Sequence, residues 1–228
     1  MNRVKWQMAW KMLALSIVIG AGWLYLQIPL QAKTTKSVRV RWVVDGDTVV
    51  LTDGQRLRYL GINTPEIDHK LQQGQPYAYV AKRLNRRLVD DQKIRLEFGR
   101  ERKDRYGRLL AYVFLSDGTF VNREMLARGY GYVYPSKQPG RYDELLLKTQ
   151  REAMTAKKGI WKKWRDPGKR AGYSGNRRSK RFHFSDCPNG KKISRKNRRH
   201  FDTMWDALFD GYAPAKGCID GRLGWHIP

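Results

Sequence analysis

The stretch from Val38 to Ile62, VRVRWVVDGDTVVLTDGQRLRYLGI, decides the fold. Val38 to Val44, Thr48 to Thr52 and Gln55 to Ile62 are short runs rich in β-branched and aromatic residues, and Asp45-Gly46 and Asp53-Gly54 are tight-turn signals between them. The pattern predicts a meander of three strands. Lys93 to Phe98 and Leu109 to Leu115 add two more, separated by the Asp104 to Arg108 turn and closed by Ser116-Asp117-Gly118. Helical spacing appears between and after them. Pro76 stands near the first turn of a helix running to about Val89, and Val121 to Arg128 and Arg141 to Lys157 follow the same period. Gly159-Ile160-Trp161 ends this part of the chain with an aromatic plug. Periodicity alone gives an α+β class.

Charge narrows the partners. The 228 residues carry 46 Lys+Arg against 21 Asp+Glu, a formal charge of +25, spread along the whole chain. Such a field draws in a polyanion from a distance and holds it by counterion release. Charge alone would equally serve solubility or attraction to an anionic membrane surface. The discrimination comes from motifs.

Asp45-Gly46-Asp47-Thr48 is followed by Arg58-Tyr59-Leu60-Gly61-Ile62-Asn63-Thr64-Pro65-Glu66 and then by Asp104-Arg105-Tyr106-Gly107-Arg108. Together they supply metal-type carboxylates, a base and two arginines, the groups that phosphodiester cleavage needs. A hard cation offsets charge at phosphorus, guanidinium forks hold phosphate oxygens, and a carboxylate takes a proton from water. In order and spacing these motifs resemble the staphylococcal nuclease (thermonuclease) family, and the likeness runs from about Val38 to Trp161. The resemblance implies a five-stranded β-barrel of the oligonucleotide-binding (OB) type with helices. It implies Glu66 as general base, Arg58 and Arg108 as the catalytic arginines, and a calcium site of Asp47, Asn63 and the Thr64 carbonyl. It also implies hydrolysis of DNA, and of RNA, with little sequence preference and 3′-phosphate products. Asn63 departs from the family pattern, which has a carboxylate there. An amide oxygen still binds calcium but removes a formal charge, so weak or altered metal dependence is expected, with Asp45 or water in compensation. That departure keeps open a second reading, an inactive nucleic-acid-binding or uptake protein on the same fold.

Arg56 lies on the same strand face as Arg58, with Leu57 pointing the other way, which suits a binding cleft. Tyr106, Tyr132 and Tyr134 are candidate stacking surfaces for bases, although the alternation Gly129 to Tyr134 also suits core packing.

Residues 167–180, polar and glycine-rich, read as a linker to a separate small α+β module over 181–228. Its Phe182-His183-Phe184-Ser185-Asp186-Cys187-Pro188 and Ala215-Lys216-Gly217-Cys218 resemble an incomplete metal-binding module of the Ada type. Ala215 stands where that pattern has a cysteine, so His183, Cys187 and Cys218 remain, with His226 the nearest fourth ligand for zinc. The alternative is a Cys187–Cys218 disulfide, as suits an exported chain. Lys191 to Arg199, with six basic residues in nine, is a nucleic-acid contact or a solvated face.

Residues 1–36 read as an address and linker rather than part of the domain at 37–166. Arg3, Lys5 and Lys11 precede the apolar run Met12 to Leu26, the layout of a signal peptide or signal anchor. The expectation is an exported monomer, either tethered to a cell-envelope membrane or released as a secreted or periplasmic protein.

Overall fold

The computed structural model describes residues 35–68, 71, 73–136, 138–165 and 172–219. The leader and His226 lie outside them. Among the described residues no helix is long and apolar enough to cross a membrane.

Strands β1 (Thr35–Val43), β2 (Thr48–Leu51) and β3 (Arg56–Tyr59) form the expected meander. The third run is shorter than the sequence suggests, because Gly61 adopts φ +76° and turns the chain, leaving Ile62–Asn63 as a separate strand, β4. A Cβ at Gly61 would also stand 2.7 Å from Leu146 Cδ1. Next come a small hairpin of β5 (Ile67–Asp68) and β6 (Gln73–Gly74), then helix α1 (Ala78–Val89). Strands β7 (Lys93–Lys103) and β8 (Leu109–Phe114) complete a closed barrel in the order β1-β2-β3-β8-β7. Closure comes from the parallel pairing of β3 with β8, Arg58 opposite Leu110. Alternation fills the interior: Val40, Val49, Leu51, Leu57, Ile94, Leu96, Ala111 and Val113 are buried, and helix α2 (Val121–Ala127) adds Val121, Met125 and Leu126. This is the OB-type α+β architecture.

Strand β9 (Tyr132–Val133) pairs antiparallel with β4, so that Asn63 lies opposite Tyr132. Helix α3 (Asp143–Thr155) and a 3-10 turn at Gly159–Trp161 follow.

The expected linker is the largest departure. Tyr173–Asn176 is strand β10, and it pairs on both sides, with β11 (Arg181–Phe184) and β12 (Arg198–Phe201). Two short helices, α4 (Pro188–Lys191) and α5 (Met204–Phe209), and a last strand, β13 (Ala213–Pro214), complete this part, with sheet order β12-β10-β11-β13. Glycine in this stretch marks close packing: a Cβ at Gly175 would meet the rings of Phe201 and Tyr212 at 2.7 and 2.8 Å.

Nor does this sheet stand apart. One apolar cluster contains Tyr132, Ala153, Met154, Ile160 and Trp161 from the barrel side and Tyr173, Phe182, Phe201, Met204, Leu208 and Tyr212 from the carboxy-terminal side. Trp161 meets Trp205 edge-on at 5.7 Å. Gln150 Nε2 donates to Leu208 O at 2.6 Å, and Arg151 Nε donates to Phe209 O at 2.7 Å. The described residues accordingly form one compact unit.

Candidate active site

The turn between β1 and β2 brings Asp45 and Asp47 to the barrel mouth, and both are buried. Gly46 is required there by space, since a Cβ would stand 2.6 Å from Thr64 Oγ1 and 2.8 Å from Ala81 Cβ. The Asp47 carboxylate accepts from Thr64 N at 2.9 Å, from Thr48 Oγ1 at 3.0 Å and from Arg58 Nη1. Asp45 accepts from Asp47 N at 3.0 Å. Behind them, Asn85 on α1 donates to Asp45 O and accepts from Tyr59 Oη, each at 2.9 Å.

Burial and the neighbouring Asp47 push Asp45 up to about 7, with Glu66 adding to the rise. An acid whose folded pKa is raised stabilises the fold below its ordinary value, 3.8, and loses that contribution as pH climbs to about 7. In chelator, the thermal midpoint should therefore fall across this window, and Asp45→Asn should flatten the fall. A midpoint profile unchanged by Asp45→Asn would show that Asp45 carries no such strain.

Arg58 is pinned in a fork: Nη1 to Asp47, Nη2 to Asn63 Oδ1 and, at 3.5 Å, to Ile62 O. Burial alone would lower its pKa, but Asp47, Glu66 and Asp45 together raise it, so the guanidinium stays charged. Of its five N–H donors, those not held by Asp47, Asn63 and Ile62 remain for a phosphate.

Asn63 is placed otherwise than expected. Its Oδ1 faces Arg58, while Nδ2 donates to Thr64 O at 2.9 Å and to Tyr132 Oη at 3.1 Å. It bridges the arginine to the buried tyrosine, and both oxygens expected from the Asn63–Thr64 pair are already engaged.

Glu66 follows Thr64-Pro65 and is fixed through its backbone: its N–H donates to Gln75 Oε1 at 3.0 Å, and Gln75 N donates to Glu66 O at 2.9 Å. Its tip reaches solvent but is walled by protein. The desolvation raises its pKa, with Asp47 adding to the rise and Arg58, Lys216 and Arg108 opposing it. Arg108 is gripped by Asp104, which accepts from Nε and Nη2, each at 2.7 Å. Partial burial would raise Asp104, but these bonds and the backbone N–H groups of Tyr106 and Arg108 hold it below the usual range.

The tyrosines divide. Tyr106 is exposed at the turn tip, its ring flanked by Arg105 at 4.8 Å and Arg108 at 5.6 Å. Tyr132 is only 5% exposed and belongs to the second apolar cluster, so its ring is not a free stacking face, which corrects the expectation. Tyr134 is half-buried beneath Arg181, whose Cζ lies 3.8 Å from the ring centroid. Arg56 is exposed on β3.

Asn85, Gln75, Asp104 and Lys216 were given no role in the site by the sequence reading. Asn85, polar on the buried face of α1, was detectable as an exception to the apolar spacing; Lys216 carries no local signal.

At the far side of β11, Cys187 and Cys218 are joined as a disulfide, with Cα atoms 6.3 Å apart. His183 Nδ1 stands 3.4 Å from Cys218 Sγ, and the three ligand atoms lie within 4.8 Å of one another. Burial lowers the His183 pKa, which favours the neutral imidazole that a metal needs. With the bridge reduced, the trio would offer three zinc ligands.

The OB-type barrel thus holds two buried carboxyls, Asp45 and Asp47, and a charged fork, Arg58, at its mouth. Residues 56–163 match the family described as staphylococcal nuclease homologue. The chain is 38% identical over 134 residues to the thermonuclease of Staphylococcus intermedius, covering 56% of this chain and 77% of that protein. It is 38% identical over 135 residues to the thermonuclease of Staphylococcus hyicus, covering 57% and 76%. It is 36% identical over 136 residues to endonuclease YncB of Bacillus subtilis, covering 58% and 64%. The chain belongs to the staphylococcal nuclease family. The family match ends at residue 163, before β10.

Proposed function

We propose that this protein is an exported, calcium-assisted endonuclease that hydrolyses DNA, and RNA by the same chemistry, with little sequence preference. The observation that carries the reading is the setting of Glu66: a carboxylate at a solvent-reachable mouth, raised by burial and Asp47, with Arg58 and Arg108 close enough to oppose the rise. That is the environment of a general base beside two phosphate-binding forks.

The fit of a cation rests on Asp45 and Asp47. Two buried carboxyls sit on one turn, and Asp45 accepts a hydrogen bond from Asp47 N with no cation pair of its own among the described residues. A hard dication bound by Asp45, Asp47 and the Thr64 carbonyl would neutralise them. When bound, calcium supplies Lewis-acid polarisation of a phosphate oxygen. Glu66 takes a proton from the attacking water. Arg58, through its remaining donors, and Arg108 hold the phosphate oxygens as charge grows on them. The P–O5′ bond breaks, leaving a 3′-phosphate and a 5′-hydroxyl. These contacts are with backbone, which carries no sequence information.

The basic leader followed by an apolar run supports export, with the segment retained as an anchor or removed, and the paired cysteines agree with an oxidising compartment. The test is plasmid DNA incubated with purified protein in calcium or in chelator. Expected are calcium-dependent fragments whose ends a polymerase extends only after phosphatase treatment. Binding without cleavage in calcium would favour the inactive nucleic-acid-binding reading.

Asn63→Asp is expected to lower the calcium concentration of half-saturation several-fold by adding an anionic oxygen. The same change should lower the thermal midpoint in chelator, because a carboxylate oxygen would then face Thr64 O, where Nδ2 now donates at 2.9 Å. Calorimetric titration showing unchanged or weaker calcium binding would remove position 63 from the metal site.

A further inference from the structure

The carboxy-terminal sheet lies wholly beyond residue 163, where the family match stops. At one end of that sheet three loops are bonded together. The turn between β10 and β11 is shaped by Asn176, whose side chain accepts from Arg178 N at 2.9 Å and whose backbone carbonyl accepts from Lys180 N at 2.8 Å. Arg177 N donates to Asn197 O at 2.8 Å, which joins this turn to the 3-10 turn Arg195–Asn197. Arg198, opposite Asn176 in the register of β10 and β12, donates through Nη2 to Lys191 O at 2.8 Å and to Ile193 O at 2.7 Å, and so ties in the end of α4. Ile193 itself is buried.

What these loops present is charge. Arg177, Arg178, Lys191, Lys192, Arg195 and Lys196 are all exposed, and among the described residues none of their side chains forms an ion pair or a hydrogen bond. Three acids of this part are engaged elsewhere: Asp210 pairs with Arg199 at 2.8 Å, Asp202 faces His200 at 3.5 Å, and Asp206 is bonded to Thr203 at the start of α5. Two further cations lie over rings, Arg199 at 5.1 Å from the Phe201 centroid and Lys180 at 4.5 Å from that of Tyr212. The six exposed cations are left facing solvent on a backbone that holds them together. Like charges so gathered repel one another, and a polyanion that spans them relieves the repulsion.

We propose that this end of the carboxy-terminal sheet is a second nucleic-acid surface, which grips the phosphate backbone of a duplex on elements that carry none of the catalytic candidates. It deepens the nuclease reading above and takes its class of partner from it. The large apolar side chains exposed among the described residues are Trp42, Leu71, Tyr79, Tyr106, Leu145 and Phe209, and none lies in these loops. A surface for single strands stacks bases on rings, and a helix that docks on a bilayer sinks apolar side chains between the headgroups. Neither device is present in the three loops. Lysine and arginine on a fixed backbone suffice for phosphates, whose contacts position a duplex without reading its sequence. Such a grip keeps long DNA on the protein between cuts.

The experiment uses the full chain with the quadruple substitution Arg177→Gln, Arg178→Gln, Arg195→Gln and Lys196→Gln. A control makes the same change in charge at exposed cations of other elements: Arg83→Gln, Arg87→Gln, Lys148→Gln and Lys162→Gln. The backbone bonds that shape the loops survive these changes. Binding of a duplex of about 24 bp is followed against salt in chelator, in a Glu66→Gln background; the slope of log K against log salt should become shallower by about 3 in the loop variant, at about 0.9 for each phosphate neutralised, and by less than half as much in the control. With Glu66 intact and calcium present, the loop variant should raise KM on linear plasmid DNA about five-fold and leave cleavage of a dinucleotide unchanged, since a dinucleotide is too short to reach a second surface. An unchanged slope in the loop variant, or an equal loss in both variants, would overturn the surface. Loss of binding to phosphatidylserine vesicles with duplex binding intact would overturn it in favour of a membrane contact. If the wild type does not cut DNA in calcium while the loop variant still loses salt slope, the nuclease reading fails and the surface stands.

Discussion

Replacing Glu66 by Gln should lower cleavage of DNA by about 100-fold or more while leaving the thermal midpoint nearly unchanged. The size follows from removing a group placed to act only as charge moves in the transition state. The fold is spared because Glu66 is anchored through its backbone to Gln75, and Gln keeps the side-chain volume at an exposed tip. Arg108→Ala should cost a comparable factor by a different route, the loss of a guanidinium fork. Arg108→Lys separates fork from charge, since lysine restores the charge without the two parallel donors that Asp104 now orients. If Glu66→Gln and Arg108→Ala both cut DNA at the wild-type rate, the base and the second arginine have been misplaced.

Deleting residues 167–228 should destabilise the barrel severely rather than leave it intact. The sequence reading made the opposite expectation, because a glycine-rich polar stretch looked like a tether. In the structure, truncation strips one side of the cluster that buries Tyr132, Met154, Ile160 and Trp161, all at 5% exposure or less. Uncovering large side chains costs roughly 1.5–3 kcal/mol each when exposure is complete, and an ordinary domain has only about 5–15 kcal/mol in total. A fall in midpoint on the order of 15 °C is expected, since 1 kcal/mol shifts a chain of this size by about 2–4 °C. Activity should fall with it even on short oligonucleotides, because Tyr132 holds Asn63, and Asn63 holds Arg58. Thermal unfolding of the truncated protein within a few degrees of the full chain would refute the shared core.

The strand meander was legible locally, whereas the closed barrel was expected from the family resemblance. Alternating β-branched runs separated by Asp-Gly turns specify a meander without reference to anything distant, and its members, β1 to β3, form where the pattern places them. The motif residues Asp47, Arg58, Glu66 and Arg108 were named from order and spacing, and of these Asp47 and Arg58 meet as an ion pair. Spacing could not say which atoms face which. Asn63 looked like a metal ligand, and its amide instead spans Arg58, Thr64 and Tyr132, an arrangement that depends on β4 meeting β9 across 69 residues. Tyr132 and Tyr134 looked like stacking rings because alternation in a short run does not tell a cleft from a second core.

The sequence by itself determined the strand meander, the helices that follow it and the charge, because turns, pleat and apolar period are interactions between near neighbours. Tertiary structure alone decided that the carboxy-terminal segment is part of the same body and that Tyr132 belongs to its core. Those facts depend on which apolar faces bury one another. Burial is non-directional and indifferent to separation along the chain, so no local pattern announces it.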